Sequence, residues 1–419
     1  MTTTPMRLSL AALLLLVAAP AAAQDARVDA LIERLEKQEQ EIQSLRQEVQ
    51  ELRQGVVHDP KHPEYRREDG QYPVTDYDAP KIRLDIAGQI NQAFTAAGDG
   101  RQTKGYFVDN DASGSRLRFA GMSTFDETWD LGSTLEVAFS PNNSFDVDQD
   151  NEQAGDFFQV RRAELWVRDD RFGRLMFGQG SAAADNTAEF DLSLVSGPIM
   201  TSGVEFTYGG LQFTDGDELT GVAIFESFFN FDGNRQGRVR YDTPMFGPAQ
   251  VSVSAGSDQR YDLALTFGAD YDTWSAIDLP GFTALGGVSL SRPNQDDEDY
   301  RVVGSGSLLH DASGVSLTVS SGFDGGTRGD DPYSVYGKLA WDTRLMRFGP
   351  TGFGVDYAWN ENLDEDGDQG QSAGLAAVQV LEEYGIELYS QFRWFTVDRG
   401  EGPSFDDIFL GTLGTRIRF

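Results

Sequence analysis

The chain of 419 residues has no cysteine, only three histidines, and 34 Lys and Arg against 67 Asp and Glu. Without cysteine, disulfide scaffolds, zinc ribbons, thiol nucleophiles and iron–sulfur sites are excluded. The histidines, at positions 58, 62 and 310, are too few and too scattered to indicate a metal site or a Ser–His pair. A net charge of −33 disfavours nucleic acid as a partner, because such partners need a basic surface. We therefore expect no enzymatic activity, no cofactor and no resident metal.

Long hydrophobic runs are also scarce. The longest, Leu8 to Val17, is too short to cross a hydrocarbon core of roughly 30 Å as a helix. The small residues Ala21 and Ala23 that follow it fit a cleavage site, so residues 1–23 are predicted to be a signal peptide; the alternative is an uncleaved anchor helix. An exported chain without helical spans is either soluble or crosses the membrane as a closed β-barrel.

Residues 24–56 carry a seven-residue repeat of apolar side chains. With Val28 as the first a position, every a and d position is apolar except Gln38, and the g and e positions pair opposite charges, as in Arg34 with Glu39. This pattern predicts a parallel coiled coil and leaves dimer or trimer open, the alternative being an amphipathic helix packed on the rest of its own chain. The predicted oligomerisation residues are Leu31, Leu35, Gln38, Ile42, Leu45, Val49 and Leu52. Residues 57–80, rich in proline and charge, are predicted to be a linker.

From residue 81 the periodicity changes to two. Apolar and polar residues alternate in segments of about ten, with strands predicted near 82–94, 115–125, 130–139, 157–168 and 173–179. The links between them alternate between long acidic loops and short turns, and aromatic residues such as Phe94 and Trp129 lie near strand ends. The predicted fold is all-β: a transmembrane antiparallel β-barrel over 81–419, preceded by a short helical coiled coil. We count about 18 strands, or 16 if the weaker segments are divided differently. A soluble β-sandwich is the alternative.

Three segments resemble the Gram-negative general porins. These are Gly114–Gly121 (GSRLRFAG), the strand–turn–strand within 161–179, and the C-terminal Thr415–Phe419 (TRIRF). The coiled coil ahead of the barrel is similar to that of the DcaP-like trimeric porins. The resemblance implies a homotrimer in the outer membrane with its coiled coil in the periplasm, and recognition of Phe419 by the outer-membrane assembly machinery. Acidic outer loops would bridge divalent cations to lipopolysaccharide.

The same resemblance implies that the segment Gly180–Gly203 is a third loop folded into the channel. Its acidic residues Asp185, Glu189 and Asp191 would form one side of a constriction. Alternation within the strands places basic residues on the other side, because an arginine facing lipid at the midplane costs roughly 2–4 kcal/mol. The predicted pore-lining residues are Arg116, Arg118, Arg162, Arg174, Arg238, Arg240, Lys338 and Arg393, with Arg416 and Arg418 also inward. For each charge alone, a solvated wall position without effect on flux is the alternative.

The function expected from this pattern is passive diffusion of small hydrophilic solutes and ions, filtered by charge at the third loop. Two alternatives remain open. One is a channel selective for a sugar, a dicarboxylate or an anion, which would be marked by an aromatic track or a dense ladder of basic residues. The other is a structural tether between the envelope layers, with the barrel as its anchor.

Overall fold

The computed structural model describes residues 82–126, 128–154, 158–257, 260–269, 276–292, 300–326, 329–402 and 404–419. The predicted signal peptide, coiled coil and linker lie outside these residues, as do all the oligomerisation residues named above. Within the described ranges, no helix is long and apolar enough to span a bilayer.

Nearly all regular structure in the described part of the chain is β-strand. The strands in chain order are β1 (Ile82–Gly98), β2 (Thr103–Asp109), β3 (Arg116–Asp126), β4 (Trp129–Ala138), β5 (Gln159–Asp169), β6 (Gly173–Ser181), β7 (Gln212–Asp215), β8 (Glu218–Ala223), β9 (Arg235–Asp242), β10 (Ala249–Gly256), β11 (Tyr261–Phe267), β12 (Ile277–Leu279), β13 (Phe282–Arg292), β14 (Tyr300–His310), β15 (Val315–Gly325), β16 (Tyr333–Met346), β17 (Gly349–Glu361), β18 (Gln369–Leu381), β19 (Ile386–Asp398) and β20 (Ile408–Arg418).

Sixteen of the described strands form a closed antiparallel barrel. Each pairs with the next in the chain, β6 pairs with β9, and β20 closes the ring on β1, with Gln92 opposite Thr415 and Phe94 opposite Leu413. The two other members of this sheet are extensions: β2 pairs with the end of β1, and β12 pairs with the start of β13. Closure leaves no open edge, as lipid requires, because unpaired backbone groups in hydrocarbon cost several kcal/mol each.

The count of about 18 strands was therefore too high, and the division into 16 is correct. β7 and β8 are not part of the ring, because among the described strands they pair only with each other. Their hairpin belongs to the segment between β6 and β9. The early strands agree with their predicted bounds to within a few residues.

Side chains alternate between an apolar outer face and a polar inner face. On β16, Leu339 is 52% exposed while its neighbour Lys338 is 2% exposed, and Trp341 and Val335 share the outer face. A soluble protein would bury leucine and expose lysine. The reversed distribution is the one required of a barrel whose outer surface contacts hydrocarbon and whose interior is polar.

The two ends of the barrel differ. At the end where β1 begins and β20 finishes, here called the terminal rim, the strands are joined by tight turns such as 170–172, 347–348 and 382–385. At the opposite end, the loop rim, the connections are longer and include 139–158 and 182–234.

Residues 182–234, called the inner loop below, fold into the barrel. They include two 3-10 turns, the β7–β8 hairpin and one short helix, α1 (Ile224–Ser227). Buried loop residues such as Val195, Met200 and Phe213 share one apolar cluster with wall residues such as Tyr336 and Phe395. The inner loop thus covers part of the inner wall and leaves the rest of the lumen open.

Candidate pore constriction

The wall is shaped to receive the inner loop. A Cβ added at Gly352 would lie 2.8 Å from Cβ of Leu194, and one added at Gly354 would lie 2.8 Å from Val195 and 2.9 Å from the Met200 sulfur. Such contacts are too close for any side chain. Glycine on β17 therefore lets the loop approach the backbone of the wall directly.

Hydroxyl groups of the wall satisfy the backbone of the inner loop. The amide of Phe190 donates to Ser305 Oγ at 2.9 Å and that of Leu192 donates to Ser307 Oγ at 3.0 Å. The amide of Ala183 donates to Ser254 Oγ at 2.9 Å. A buried loop needs such partners, because its own backbone groups cannot reach water or a sheet ladder. The loop is consequently held at several separate points.

Two predicted pore-lining cations also hold the loop. Lys338 Nζ lies 2.5 Å from Asp191 and donates to the Met200 carbonyl at 2.7 Å. Arg240 donates to Asp242 at 2.8 Å and to the Ala182 carbonyl at 2.7 Å. Both cations are inward, as alternation predicted, but buried against the loop. Asp191, which was predicted as a constriction residue, forms the ion pair with Lys338.

Arg238 and Arg393 are fully buried in ion pairs. Arg238 lies 2.5 Å from Glu164 and donates to the Ser181 carbonyl at 3.0 Å. Arg393 lies 2.6 Å from Asp356. These two residues, together with Arg240 and Lys338, do not border the open lumen. Lys338 and Arg240 hold the inner loop on the wall, whereas Arg238 and Arg393 pair with acids of other barrel strands. Alternation within a strand predicts that a side chain faces inward but not whether it reaches the open lumen.

The open part of the lumen is a continuous cavity of about 950 Å³. Its wall is formed mainly by β1, β3, β4, β5, β9 and β20, and its opposite side by the inner loop and the loop 139–158. A second cavity of about 300 Å³ adjoins the same strands. Several residues line both cavities, among them Arg116, Arg161 and Arg235. The two cavities therefore lie next to each other along these strands.

Five guanidinium groups line the second cavity, and we call them the arginine wall: Arg116, Arg118, Arg161, Arg162 and Arg235. Glu136 lies 2.7 Å from Arg161, and Asp185 lies 3.7 Å from Arg235. The predicted residues Arg116, Arg118 and Arg162 are brought together here.

Sequence alternation missed Arg161 because β5 contains a β-bulge at this point. Glu136 of β4 is opposite Arg162, and the next residue, Val137, is opposite Val160, so Arg161 is the extra residue. A bulge places two consecutive residues opposite one and redirects a side chain. Both Arg161 and Arg162 consequently line the lumen. The adjacent arginine pair was the available signal, since one arginine of such a pair would otherwise face lipid.

The inner loop presents carboxyl groups opposite the arginine wall. Asp185, Glu189, Glu205 and Asp232 all line the larger cavity. Burial raises the pKa of Glu205 to about 8. Burial, together with the Asp185 carboxylate, raises the pKa of Glu189 to about 7. Burial and the neighbouring Glu189 and Asp185 also raise the pKa of Asp232. Near neutral pH these groups offset the arginine wall only in part.

The remaining predicted residues lie elsewhere. Arg174 stacks on Trp166, its guanidinium carbon 4.5 Å from the ring centroid. Arg416 lies 2.5 Å from Glu387 and donates to the Gly197 carbonyl at 2.5 Å, and with Arg418 it borders the larger cavity. Phe419 ends the chain at the terminal rim, where its backbone exchanges two hydrogen bonds with Gly88.

Acidic loops do not assemble a metal centre in the described ranges, where no group of three or more potential metal ligands comes together. In the loop 362–368, Asp364, Glu365 and Asp368 are all ion-paired with Arg399, at 2.5, 2.8 and 2.6 Å. An arginine therefore occupies the position between the carboxylates of this loop.

A closed barrel with an apolar exterior, a polar lumen and a loop folded inside defines a channel of the outer membrane. The model of the Gram-negative porin family matches residues 9–400, and the chain belongs to this family. No curated protein sequence matches the chain.

Solved structures share the fold at low sequence identity. The anion-selective porin from Comamonas acidovorans aligns with a TM-score of 0.55 at 13% identity, covering 81% of this chain and 100% of that one. The outer membrane channel DcaP of Acinetobacter baumannii aligns with a TM-score of 0.51 at 12% identity, covering 81% and 97%. OmpT of Vibrio cholerae, described in its trimer form, gives 0.51 at 12% identity, covering 81% and 99%.

Proposed function

We propose that the protein conducts small hydrophilic solutes and ions by passive diffusion, with charge filtering where the arginine wall faces the inner loop. The observation that carries this proposal is the convergence of five arginines from β3, β5 and β9 on cavities whose other side is an acidic loop. Fixed charges at a narrow, low-dielectric passage raise the local concentration of ions of opposite sign.

The filter is expected to prefer anions. The seven arginines that line the two cavities are offset by Glu136, by Asp111, Asp146 and Asp185, and by carboxyl groups of the inner loop, of which Glu189 and Glu205 have pKa values raised to about 7 and about 8. The local balance is therefore positive at neutral pH, although the whole chain carries −33.

Neutralising two members of the arginine wall tests the filter. In planar bilayers under a salt gradient, Arg116→Gln with Arg118→Gln should shift the reversal potential towards cation preference, because two positive charges leave the passage. The matched control is Arg344→Gln with Arg347→Gln, which removes the same charge beside the 347–348 turn at the terminal rim. An unchanged reversal potential in the first double variant removes these residues from the filter, and absence of any steady current would favour the structural tether.

Assembly as a homotrimer is part of the proposal. It is supported by the heptad pattern of residues 24–56 and by the trimer form described for a protein of the same fold. We propose further that the coiled coil lies in the periplasm, that the assembly machinery recognises Phe419, and that the acidic outer loops contact lipopolysaccharide through divalent cations.

A further inference from the structure

A cluster of phenylalanine rings lines the same lumen and takes no part in charge filtering. Phe145 of the loop 139–158 lies 5.7 Å from Phe225 of α1 and 6.1 Å from Phe206, measured between ring centroids. These three rings and Phe229 all border the cavity of about 950 Å³ that the arginine wall also borders. We call them the phenylalanine patch.

The backbone holds these rings in place. The amide of Phe225 donates to the Gly209 carbonyl at 3.0 Å, and the amide of Phe229 donates to Asn360 Oδ1 at 3.1 Å. A Cβ added at Gly209 would lie 2.8 Å from the Phe145 ring, so glycine is needed there for the ring to pack. The rings are thus positioned by fixed contacts between two loops and the wall.

The patch is an apolar surface inside a polar channel. Phe225 remains 45% exposed, although the apolar cluster formed by the inner loop and the wall lies close by. Single exposed apolar residues need no explanation, but contiguous ones in a concave site are typical of ligand contact. The arginine wall contributes five guanidinium groups across the cavity, so such a ligand is expected to carry a negative charge.

We propose that the phenylalanine patch and the arginine wall together form a subsite for organic anions with an aromatic body, such as an aromatic monocarboxylate. The ring of the solute stacks on Phe145 and Phe225, and its carboxylate faces the guanidinium groups. This proposal rests on the proposed channel function and specifies a preferred solute class. It also meets the mark expected of a selective channel, because a basic ladder and aromatic side chains share one passage.

The test compares benzoate with acetate in bilayers containing the full-length protein. Benzoate should interrupt the chloride current at concentrations at least about threefold below those at which acetate does so. In the Phe145→Ala, Phe225→Ala variant this difference should vanish while the channel still conducts chloride and its reversal potential keeps its sign. Phe246→Ala, which removes an exposed ring from the connection between β9 and β10 at the terminal rim, is the matched control and should retain the difference.

The outcomes separate the two proposals. A channel that conducts chloride but does not distinguish benzoate from acetate would falsify the subsite and leave the channel function intact. Stronger interruption by benzylammonium than by benzoate would also overturn it, because the acidic loop would then set the preferred charge. If the double alanine variant does not fold, as judged by its heat-modifiable mobility, Phe225→Ser replaces it with the same expectation.

Discussion

At the scale of single residues, the larger cavity is bordered by carboxyl groups whose ionisation depends on burial. Glu189 and Glu205 belong to the inner loop and border the same cavity as Arg235. A buried carboxyl group stays protonated to higher pH, because its charged form loses hydration. The number of negative charges facing the arginine wall therefore changes within the neutral range.

Anion preference should fall as the pH rises from about 6 to about 9. The pKa of Glu189 is raised to about 7 and that of Glu205 to about 8 by burial, so both groups are mostly neutral at pH 6 and ionised at pH 9. Their negative charge then offsets Arg235 and Arg161, which face Glu189 together with Asp185. Reversal potentials in a salt gradient at several pH values measure this.

Glu189→Gln is the informative variant for the pH effect. It removes the group with a pKa of about 7, so the change in reversal potential between pH 6 and pH 8 should become smaller. Glu382→Gln removes an exposed carboxyl group at the terminal rim and should leave the profile as it is. Equal profiles for the wild type and Glu189→Gln would contradict the prediction.

For single residues, the alternation of the sequence predicted which side chains face the barrel interior, but not which of them are exposed to the lumen. It placed Lys338 and Arg393 inside the barrel, and both are inside, yet each is buried in an ion pair. Alternation depends only on the neighbours of a residue along its strand. Whether an inward cation borders water depends on where the inner loop packs, and that is decided by contacts such as Gly354 with Met200, far apart in sequence.

At the scale of elements, the inner loop is a fixed part of the wall. Its backbone is satisfied by wall hydroxyl groups, its apolar residues share a cluster with the wall, and Asp191 is paired with Lys338. The inward or outward face of each side chain could be predicted from two-residue periodicity, since a slip of one residue would turn every polar side chain towards lipid. The bulge in β5 was not predicted, although the outward positions change there from even to odd numbers, from Val160 to Leu165.

Breaking the Lys338–Asp191 pair should loosen the inner loop. In Lys338→Met the Asp191 carboxylate stays buried without its partner, and such a change costs about 3–5 kcal/mol when the group cannot reach water. We expect a lower thermal unfolding midpoint and larger fluctuations of the open-channel current, while the protein still inserts and conducts.

The companion variants separate the loss of the pair from the loss of one charge. Adding Asp191→Asn to Lys338→Met should restore part of the stability, because the uncompensated carboxylate is removed. Arg344→Gln breaks the exposed pair with Glu382 and should cost no more than about 1 kcal/mol. A quiet channel of wild-type stability in Lys338→Met would show that the pair does not hold the loop.

At the scale of the whole molecule, the barrel and the predicted coiled coil before it are expected to have different roles. The barrel is complete within one chain, since β20 pairs with β1 and both cavities are lined by residues of that chain. The class of the fold, a transmembrane β-barrel, could be predicted from the sequence. The number of strands could not, because it depends on β7 and β8 pairing with each other. The predicted coiled coil of residues 24–56 lies outside the described residues, and its proposed role is in assembly.

Deleting residues 25–55 should therefore weaken oligomerisation and leave the conductance of each channel unchanged. The expected loss of oligomers rests on heptad core residues such as Leu35 and Leu45, because apolar a and d side chains drive helix association. Leu35→Asp with Leu45→Asp should reproduce the deletion, with fewer trimers surviving in unheated gel electrophoresis. Gln40→Asp with Gln47→Asp adds the same charge at outer f positions and should leave the trimers intact. Equal trimer stability in both double variants would place the oligomer contacts on the barrel alone.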